Sequence, residues 1–462
     1  MRQGARKAAV AITSIATVAA FTLSGCTSNG GTGGTSGEPT DDTGNTNGQI
    51  TDAQREEALN TPTELTFWTW VPDIQDQVDM FMEEYPAINV TVENVGQGLD
   101  HYSKVRTASQ AGSGGPDVVQ LEQQFITSFA VTGELLDLTP YGAADIGDEY
   151  VPWVWNQVVA NGEVLAIPQD SGPLGNLYRE DILTAAGVTE PPATWADYKT
   201  AAELVRANTD SYISNMAPNQ GAGWVGLLWQ AGVKPFGYDG GEGVTISVNN
   251  AEAKEVVSYW QDLIQNDLVS VDPDFTDEWY QGLNQGKYAG WITAAWAPVF
   301  LSGAAADTSG LWRAAPLPQW NEGEEASGNW GGSVNAVLKT SENPIAAYEL
   351  AKWINNDQEP ALLFATQQNF FPTKISVLED PEFAAQEPEF YGGQRVNELF
   401  AGISETVDTE WEWLPFMEFA YTSFNETFGA QVAAKGDLSA GLDAWQAALE
   451  EYATQQGFTV NE

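Results

Sequence analysis

Cysteine and histidine are nearly absent from this sequence of 462 residues, which contains one of each. The lone cysteine excludes disulfides within the chain, and the two scarcities together exclude zinc sites of these residues, Cys-His dyads and most Ser-His-Asp triads. The G-x-S-x-G, G-x-x-x-x-G-K-[ST] and H-E-x-x-H motifs are missing as well. We expect His101 to be a solvated or hydrogen-bonded helix residue. No catalytic residue, metal or cofactor is expected.

Basic residues are also scarce, with 18 Lys and Arg against 64 Asp and Glu and a formal net charge of −46. Nucleic-acid backbones and anionic lipid surfaces are recognised by Lys and Arg, so neither is an expected partner. Hydrophobic residues make up 43% of the chain, enough for two or three domains with real cores. The aromatics are abundant, with 18 Trp, 15 Tyr and 19 Phe.

The N-terminus has the pattern of a bacterial lipoprotein signal peptide. Three cations within residues 1–7 precede an uncharged, mostly apolar run over 8–23, and Leu23-Ser24-Gly25-Cys26 matches the lipobox. We therefore predict a signal peptide over 1–25 and lipidation of Cys26, with two acyl chains supplying a stable anchor. Residues 26–60 are rich in Gly, Thr, Ser, Asn and Asp, which predicts a flexible linker.

Strand and helix patterns alternate after the linker. Residues 65–70, 88–95 and 117–121 have strand patterns, and residues 73–85 and 102–110 have helix patterns. Further helices are predicted after Thr194, after Asn250, over 345–355 and near the C-terminus. The alternation indicates an α/β fold with a parallel sheet, and such sheets bind ligands beyond the carboxyl ends of their strands. Trp260, Trp353 and Trp445 lie in periodic helical stripes and are expected in the core.

Other tryptophans lie where predicted strands and helices stop. Loop positions carry function more often than element interiors do. An aromatic ring beside uncharged polar groups suits a sugar, which has apolar C–H faces and a rim of hydroxyls. The candidate sugar contacts among the tryptophans are Trp70, Trp224, Trp229, Trp296, Trp330, Trp411 and Trp413. The polar candidates near strand ends are Gln97, Gln123, Gln169 and Asp170.

Two alternatives stay open from the residues alone. A secreted glycoside hydrolase would need only two carboxylates, and Glu122, Asp170 and Glu410 are available, although each is expected to have an ordinary role. A receptor for a peptide or a polyamine would also suit the acidity, because carboxylates and aromatic faces attract cations.

Several segments, in this order, resemble the carbohydrate-binding solute-binding proteins of ABC transporters, the group that includes the maltose-binding proteins. They are the lipobox, residues 65–70, Gly114-Gly115-Pro116-Asp117-Val118-Val119, Ala166-Ile167-Pro168-Gln169-Asp170, Gly286-Lys287-Tyr288-Ala289-Gly290-Trp291 and Gly331-Gly332-Ser333-Val334-Asn335. The resemblance runs from about residue 64 to the end of the chain.

The resemblance implies a two-lobe, periplasmic-binding-protein-like α/β fold with a hinge and the ligand in a cleft between the lobes. The N-terminal lobe would be 61–170 plus 328–358 and the C-terminal lobe 171–327 plus 359–462, with hinges near 169–172, 326–330 and 357–360. Trp70, Gln97, Gln123, Trp330 and Gly331 would line the first lobe's face of the cleft. Trp224, Trp229, Trp296, Trp411 and Trp413 would line the second.

The function that this resemblance implies is a non-enzymatic receptor. It would be a monomer anchored by lipid to the extracellular face of the cytoplasmic membrane of a Gram-positive bacterium. It would capture a neutral di- to oligosaccharide and deliver it to the permease subunits of an ABC importer.

Overall fold

The computed structural model describes residues 48–461. The signal peptide and Cys26 lie outside these residues. Thirteen strands occur in the described part of the chain: β1 Thr63–Trp68, β2 Ile88–Glu93, β3 Val118–Glu122, β4 Val159–Ala160, β5 Glu163–Val164, β6 Ile167–Pro168, β7 Leu174–Arg179, β8 Phe236–Tyr238, β9 Gly243–Ile246, β10 Gly290–Ala294, β11 Trp312–Pro316, β12 Ser333–Val337 and β13 Thr459–Asn461.

Nineteen α-helices alternate with these strands over the same residues, together with short 3-10 turns. The helices are α1 Asp52–Asn60, α2 Gln75–Glu84, α3 Gly98–Ala111, α4 Ile126–Val131, α5 Pro152–Asn156, α6 Glu180–Ala186, α7 Trp195–Asn208, α8 Gly221–Gln230, α9 Ala251–Gln265, α10 Asp277–Gln285, α11 Ala297–Ala304, α12 Pro344–Asn356, α13 Gln358–Thr366, α14 Ile375–Leu378, α15 Pro381–Ala384, α16 Val396–Ser404, α17 Met417–Glu426, α18 Phe428–Ala433 and α19 Leu438–Gln455.

The largest sheet has five strands in the order β2-β1-β3-β12-β6. β1 pairs in parallel with β2 and β3, whereas β12 is antiparallel to β3 and β6. Alternate side chains of the strands enter two cores. Phe67 and Val118 pack in a cluster with residues of α2 and α12, while Val119 and Leu121 pack in a cluster with residues of α3. A sheet covered on both faces explains why β3 is buried over Val118–Leu121. The three predicted strands and the two helices between them are confirmed.

The second sheet is antiparallel, in the order β10-β7-β11, and a third small sheet has the order β13-β9-β8. The helices predicted in this half of the sequence are confirmed. Thr194 and Asp197 form a reciprocal capping box at the start of α7, and the Asn250 side chain caps α9. Trp260 and Trp445 are fully buried, as their periodic spacing predicts, and Trp353 is half-buried.

The prediction that the linker extends to residue 60 is wrong for residues 52–60, which form α1. A capping box between Thr51 and Gln54 starts this helix. Leu59 is buried against the core beneath α12, and Arg55 forms an ion pair with Glu349 of that helix. Tertiary contacts therefore stabilise a segment whose polar composition indicates no core of its own.

Candidate ligand-binding site

Two chain segments between the two larger sheets lie side by side. The Gly172 N–H donates to Asn329 Oδ1 at 3.0 Å, and the Trp330 N–H donates to the Gly172 carbonyl at 2.9 Å. A side chain at position 172 would overlap the Trp330 carbonyl, so this approach requires glycine. The two segments include the predicted hinges at 169–172 and 326–330.

A third segment joins them at Phe371, whose carbonyl accepts from the Ser171 N–H at 3.1 Å. The third hinge was expected near 357–360, but α13 begins there and packs on the side of the first sheet. Phe364 of α13 lies in the same core as Phe67, and the Gln368 side chain bonds to that of Gln77 on α2. Phe364 and Gln368 therefore contact the side of the first sheet, whereas Ala361 and Ala365 of α13 belong to the other core, and the predicted boundary stays a prediction.

Trp296 and Trp330 meet beside these segments. Their ring planes are nearly perpendicular at 87°, with centroids 5.3 Å apart, and Trp296 Nε1 donates to the Trp330 carbonyl at 2.7 Å. Trp330 is 9% exposed, whereas Trp296 is only half-buried. Gly331 has a φ of +80°, and a side chain there would crowd Trp296 Nε1. The pair is thus a rigid corner with an accessible ring.

The first turn of α8 brings two aromatic rings close to this corner. A side chain at Gly223 would meet the Trp330 ring at 3.3 Å, and one at Gly221 would overlap the Tyr421 ring. The two glycines therefore allow rings from distant parts of the chain to pack on the same helix turn. The prediction that Trp224 and Trp229 lie where predicted elements stop is wrong, because both lie within α8, and tertiary packing explains its glycines.

Trp70 belongs to a second aromatic group at the carboxyl end of β1. Its backbone N–H donates to Gln120 Oε1 at 3.0 Å, and its half-buried ring lies edge-on to His101 at 5.0 Å. His101 Nε2 bonds to the Gln120 carbonyl at 3.0 Å, and burial lowers the pKa of His101 to about 4. His101 is therefore a neutral, hydrogen-bonded helix residue near neutral pH.

Tyr102 and Phe125 continue this second group towards Tyr421. The Tyr102 and Phe125 ring centroids are 4.5 Å apart, and those of Phe125 and Tyr421 are 6.1 Å apart. Since Tyr421 and Trp330 both pack on the first turn of α8, the two aromatic groups are joined through this turn. Both aromatic groups therefore contact the same helix turn, and within the second group Tyr102 and Phe125 are buried. The two groups together are called the aromatic surface below.

Two carboxyl groups lie next to the aromatic surface. Glu122 Oε2 accepts from the Tyr102 hydroxyl at 2.6 Å, and burial raises the pKa of Glu122. Asp170 Oδ1 accepts from the Ser333 N–H at 2.7 Å, and burial raises the pKa of Asp170 to about 6. Asp170 thus links two crossing segments, which is a structural role. Glu410 is paired with Lys234 at 2.7 Å on the surface.

Unpaired polar atoms are present at the same place. Gln123 Nε2 donates to the Asp170 carbonyl at 3.3 Å, whereas Gln123 Oε1 and the Tyr421 hydroxyl are buried with no hydrogen-bond partner among residues 48–461. Such atoms cost free energy unless a partner binds them. A ligand rich in hydroxyl groups could satisfy both.

The remaining candidates, Gln97, Gln169 and Trp224, differ in exposure and in hydrogen bonding. Gln97 is exposed at the start of α3 and makes no capping bond with its side chain. Gln169 is buried, with Nε2 3.5 Å from Asn335 Oδ1 and Oε1 unpaired within the described region. Trp224 is 5% exposed in α8, and its Nε1 donates to the Ala217 carbonyl at 3.0 Å.

Trp229, Trp411 and Trp413 form a separate cluster, and Trp229 lies in α8 and not in a loop. Trp229 and Trp411 are stacked at 4.3 Å with an angle of 6° between their planes. Each of the three rings is 6% exposed or less. Trp411 and Trp413 contribute edges to a pocket of about 240 Å³ whose lining does not include Trp296 or Trp330. The cluster is mainly core.

Sequence reasoning missed the contributions of Tyr102, Phe125, Tyr421, Phe275 and Asp274. Tyr102 and Tyr421 lie in helices, where periodic aromatics indicate core packing, so the sequence contains no clear signal for them. Phe275 and Asp274 precede α10 in a polar loop next to a helix cap. Neither the positive φ of Phe275 nor its exposure follows from these neighbours, so the sequence contained no clear signal for it.

Within residues 48–461, no group of three or more His, Cys, Asp or Glu side chains is arranged to hold a metal ion. The same residues contain no helix that is long and apolar enough to cross a membrane.

The model of the family described as bacterial extracellular solute-binding protein matches residues 66–359. The chain belongs to this family of solute-binding proteins. The prediction that it is a receptor and not an enzyme is thereby confirmed.

Two curated relatives of this solute-binding protein are named for the sugars that they bind. An arabinooligosaccharide-binding protein of Bacillus subtilis is 27% identical over 345 residues, 71% of this chain and 78% of the relative. A lactose-binding protein of Rhizobium radiobacter is 24% identical, over 73% of this chain and 81% of the relative.

Solved structures confirm the predicted two-lobe fold with an interlobe cleft. The ABC-transporter-associated binding protein of B. animalis subsp. lactis Bl-04, solved with β-1,6-galactobiose, is 32% identical with a TM-score of 0.77, and the match covers 87% of this chain and 100% of that chain. The galacto-N-biose/lacto-N-biose I-binding protein of Bifidobacterium longum also has a TM-score of 0.77, at 22% identity, covering 86% of this chain and 98% of that chain.

Proposed function

We propose that this solute-binding protein captures a neutral di- to oligosaccharide outside the cell and delivers it to an ABC importer. The observation that carries the proposal is the half-exposed Trp296 ring held perpendicular to Trp330. A ring of this kind offers a flat apolar face for the C–H groups of a sugar. The names of the curated relatives and the disaccharides in the solved structures support the same class of ligand.

The polar groups beside the rings support an uncharged ligand. Gln123 Oε1 and the Tyr421 hydroxyl have no hydrogen-bond partner within residues 48–461. Each can form a hydrogen bond with a sugar hydroxyl group, which needs no salt bridge. Burial raises the pKa of Glu122, and Asp170 Oδ1 already accepts from a backbone N–H. A cationic ligand such as a polyamine would instead need ionised carboxylates converging on the rings. The proposed contacts are Trp70, Gln123, Trp296, Trp330 and Gly331, with Trp224 beneath them.

The proposed mechanism is closure of two lobes around the sugar. We place the first lobe at 61–170 plus 328–370 and the second at 171–327 plus 371–461, since α13 packs beside α2. Arg106 supports closure, because it pairs with Glu134 at 2.8 Å and with Glu418 at 2.6 Å. Small-angle scattering should therefore show compaction when sugar binds. An unchanged radius at saturation would contradict this mechanism.

Anchoring through Cys26 is part of the proposal, which rests on the lipobox Leu23–Cys26. Residues 27–47 would form the tether to the first helix. Expression in a Gram-positive host with a clickable fatty-acid analogue should label the wild-type chain in the membrane fraction. The Cys26→Ser variant should be unlabelled and released, and labelling of that variant would contradict the proposal. The sugar-free and sugar-bound chain is expected to be a monomer by light scattering.

Calorimetry and a thermal-shift assay test the ligand class. The panel comprises β-1,6-galactobiose, lactose, arabinotriose and maltotriose, with spermidine and a tripeptide as controls. We expect one of the sugars to bind and to raise Tm, since a ligand that binds only the folded state stabilises it. Binding of spermidine or the tripeptide alone would favour a receptor for a non-sugar ligand. Chromatography of the incubated sugars should show no cleavage, and cleavage would favour a glycoside hydrolase.

A further inference from the structure

Phe275 is a large apolar side chain that is 39% exposed beside the Trp296–Trp330 pair. Its ring centroid lies 6.4 Å from that of Trp296 and 6.3 Å from that of Trp330. On its inner side the ring packs at 5.5 Å from Trp279. Phe275 therefore extends the aromatic corner with a ring that remains accessible to a ligand.

The backbone of Phe275 has a φ of +61°, in the left-handed region. A bulky residue in this region carries backbone strain that Gly avoids and that Asn tolerates better. Strain of this kind persists only where the surroundings enforce it, and it is concentrated at functional sites.

Two asparagines hold the preceding residues in place. Asn215 Oδ1 accepts from the Asp272 N–H at 2.9 Å, and its Nδ2 donates to the Asp272 carbonyl at 2.9 Å and to Asp274 Oδ1 at 2.6 Å. Asn219 Oδ1 accepts from the Asp274 N–H at 3.0 Å, and its Nδ2 donates to the Asp274 carbonyl at 3.3 Å. These bonds clamp the turn from both sides and present Phe275 at its end.

Asp274 adds an oxygen acceptor next to the ring. Together with Gln220, Trp224 and Trp330, it lines a hole of about 30 Å³. A hole of this size admits a hydroxyl group or a water molecule but no sugar ring. Asp274 Oδ1 is occupied by Asn215, whereas Oδ2 has no hydrogen-bond partner within residues 48–461. Burial, with the charge of Asp272 adding to it, raises the pKa of Asp274 to about 8.

We propose that Asp274 and Phe275 form one specificity-determining subsite for a single sugar unit. The Phe275 ring would flank the unit beside Trp296, while Asp274 would bind one of its hydroxyl groups in the small hole. This inference rests on the proposed function. The subsite would select for the configuration of that hydroxyl, because an epimer whose hydroxyl points elsewhere loses the hydrogen bond to Asp274 and binds less tightly.

Phe275→Asn tests the ring, since Asn tolerates the left-handed backbone but has no aromatic face. With β-1,6-galactobiose and arabinotriose as probes, we expect the Kd of the binding sugar to rise about tenfold. The Tm without sugar should stay equal to the wild-type value or increase, because the strain is relieved. Phe275→Tyr should restore affinity to within about twofold, and Leu204→Asn on α7, which also removes an exposed apolar side chain, should leave it unchanged.

Asp274→Asn tests the acceptor with nearly the same shape. We expect the affinity for the binding sugar to fall about fivefold or more, and the preference over its epimer at one hydroxyl to shrink. If the wild type binds sugar and Trp296→Ala weakens binding, but Phe275→Asn keeps the wild-type Kd, the subsite is wrong while the proposed function stands. Loss of Tm together with affinity in Phe275→Asn would make the ring structural and would also overturn the inference. Absence of sugar binding by the wild type would overturn the proposed function itself.

Discussion

Two tryptophan clusters in this protein have similar composition, but their rings differ in how much surface is exposed. In the first, Trp229, Trp411 and Trp413 stack and pack edge-to-face, with every ring nearly buried. In the second, Trp330 lies at 87° to Trp296 and at 67° to Phe275, and the rings of Trp296 and Phe275 stay partly open. Rings whose faces cover one another contribute to stability, whereas rings with a free face can bind a ligand. The difference lies in what covers each face.

The largest effect is expected on stability, from removing a ring of the buried cluster. Trp229→Ala should lower the free energy of unfolding by about 3–5 kcal/mol, because it empties a space between Trp153, Trp411 and Trp413. Urea denaturation measures this loss. At a temperature where the variant is folded, its sugar affinity should stay within about threefold of wild type. A selective loss of affinity would place the buried cluster in the site.

Trp296→Ala should instead lower sugar affinity more than stability. We expect a loss of about 1–3 kcal/mol in sugar affinity, since the half-exposed ring is a contact surface, with a smaller loss of stability. Calorimetry measures the affinity and thermal unfolding the stability. Trp320→Ala is the matched control, because Trp320 is also half-buried but packs on Trp195 and Tyr259. Equal affinity losses in both variants would contradict a specific role for Trp296.

Asp274→Asn should change how the stability of the protein depends on pH. The pKa of Asp274 is raised from 3.8 to about 8, so the folded state binds this proton more tightly than the unfolded state. The resulting stabilisation is complete below about pH 4 and is lost as pH rises towards 8. The variant's Tm minus the wild-type Tm should therefore be higher at pH 8 than at pH 5, by about 2 °C or more. A difference independent of pH would show that the carboxyl is not titrating there.

The smallest expected effect separates two neighbours in the buried cluster. Trp413 Nε1 donates to Gln157 Oε1, whereas Trp411 Nε1 is buried with no partner in the described part of the chain. Trp413→Phe should cost about 1 kcal/mol more stability than Trp411→Phe, because it leaves the glutamine oxygen unpaired. Paired urea denaturation curves measure the difference. Equal costs would mean that ring volume alone matters at both positions.

Elements with strong local signals were predictable. β3 reads as a continuous apolar strand because helices cover both faces of its sheet, and α7 begins at Thr194 because the capping box is local. α8 was not predicted, since Trp224 and Trp229 were expected where elements stop and the glycines Gly221 and Gly223 are typical of loops. Both positions need glycine because the rings of Tyr421 and Trp330, which are distant in sequence, approach the helix there. For the same reason α1 was missed, since its partner Glu349 lies far along the chain.

Within the candidate site, the sequence indicated tryptophans at element ends but could not rank them. Trp296 and Trp411 both stand next to loops with prolines nearby. Trp411 is covered by Trp229, whereas the equivalent space beside Trp296 is only partly closed by Trp330. Phe275 was not identifiable, because neither its positive φ nor its exposure follows from the neighbouring residues.

The sequence by itself determined the alternation of strands and helices, the helix caps and the family, since these depend on periodicity, on neighbours within a few residues and on the order of short motifs. The tertiary structure alone decided which aromatic faces are covered and which polar atoms remain unpaired. Both depend on contacts between residues hundreds of positions apart, such as Trp229 with Trp411 and Gln123 with Asp170. Local patterns do not encode what finally covers a side chain.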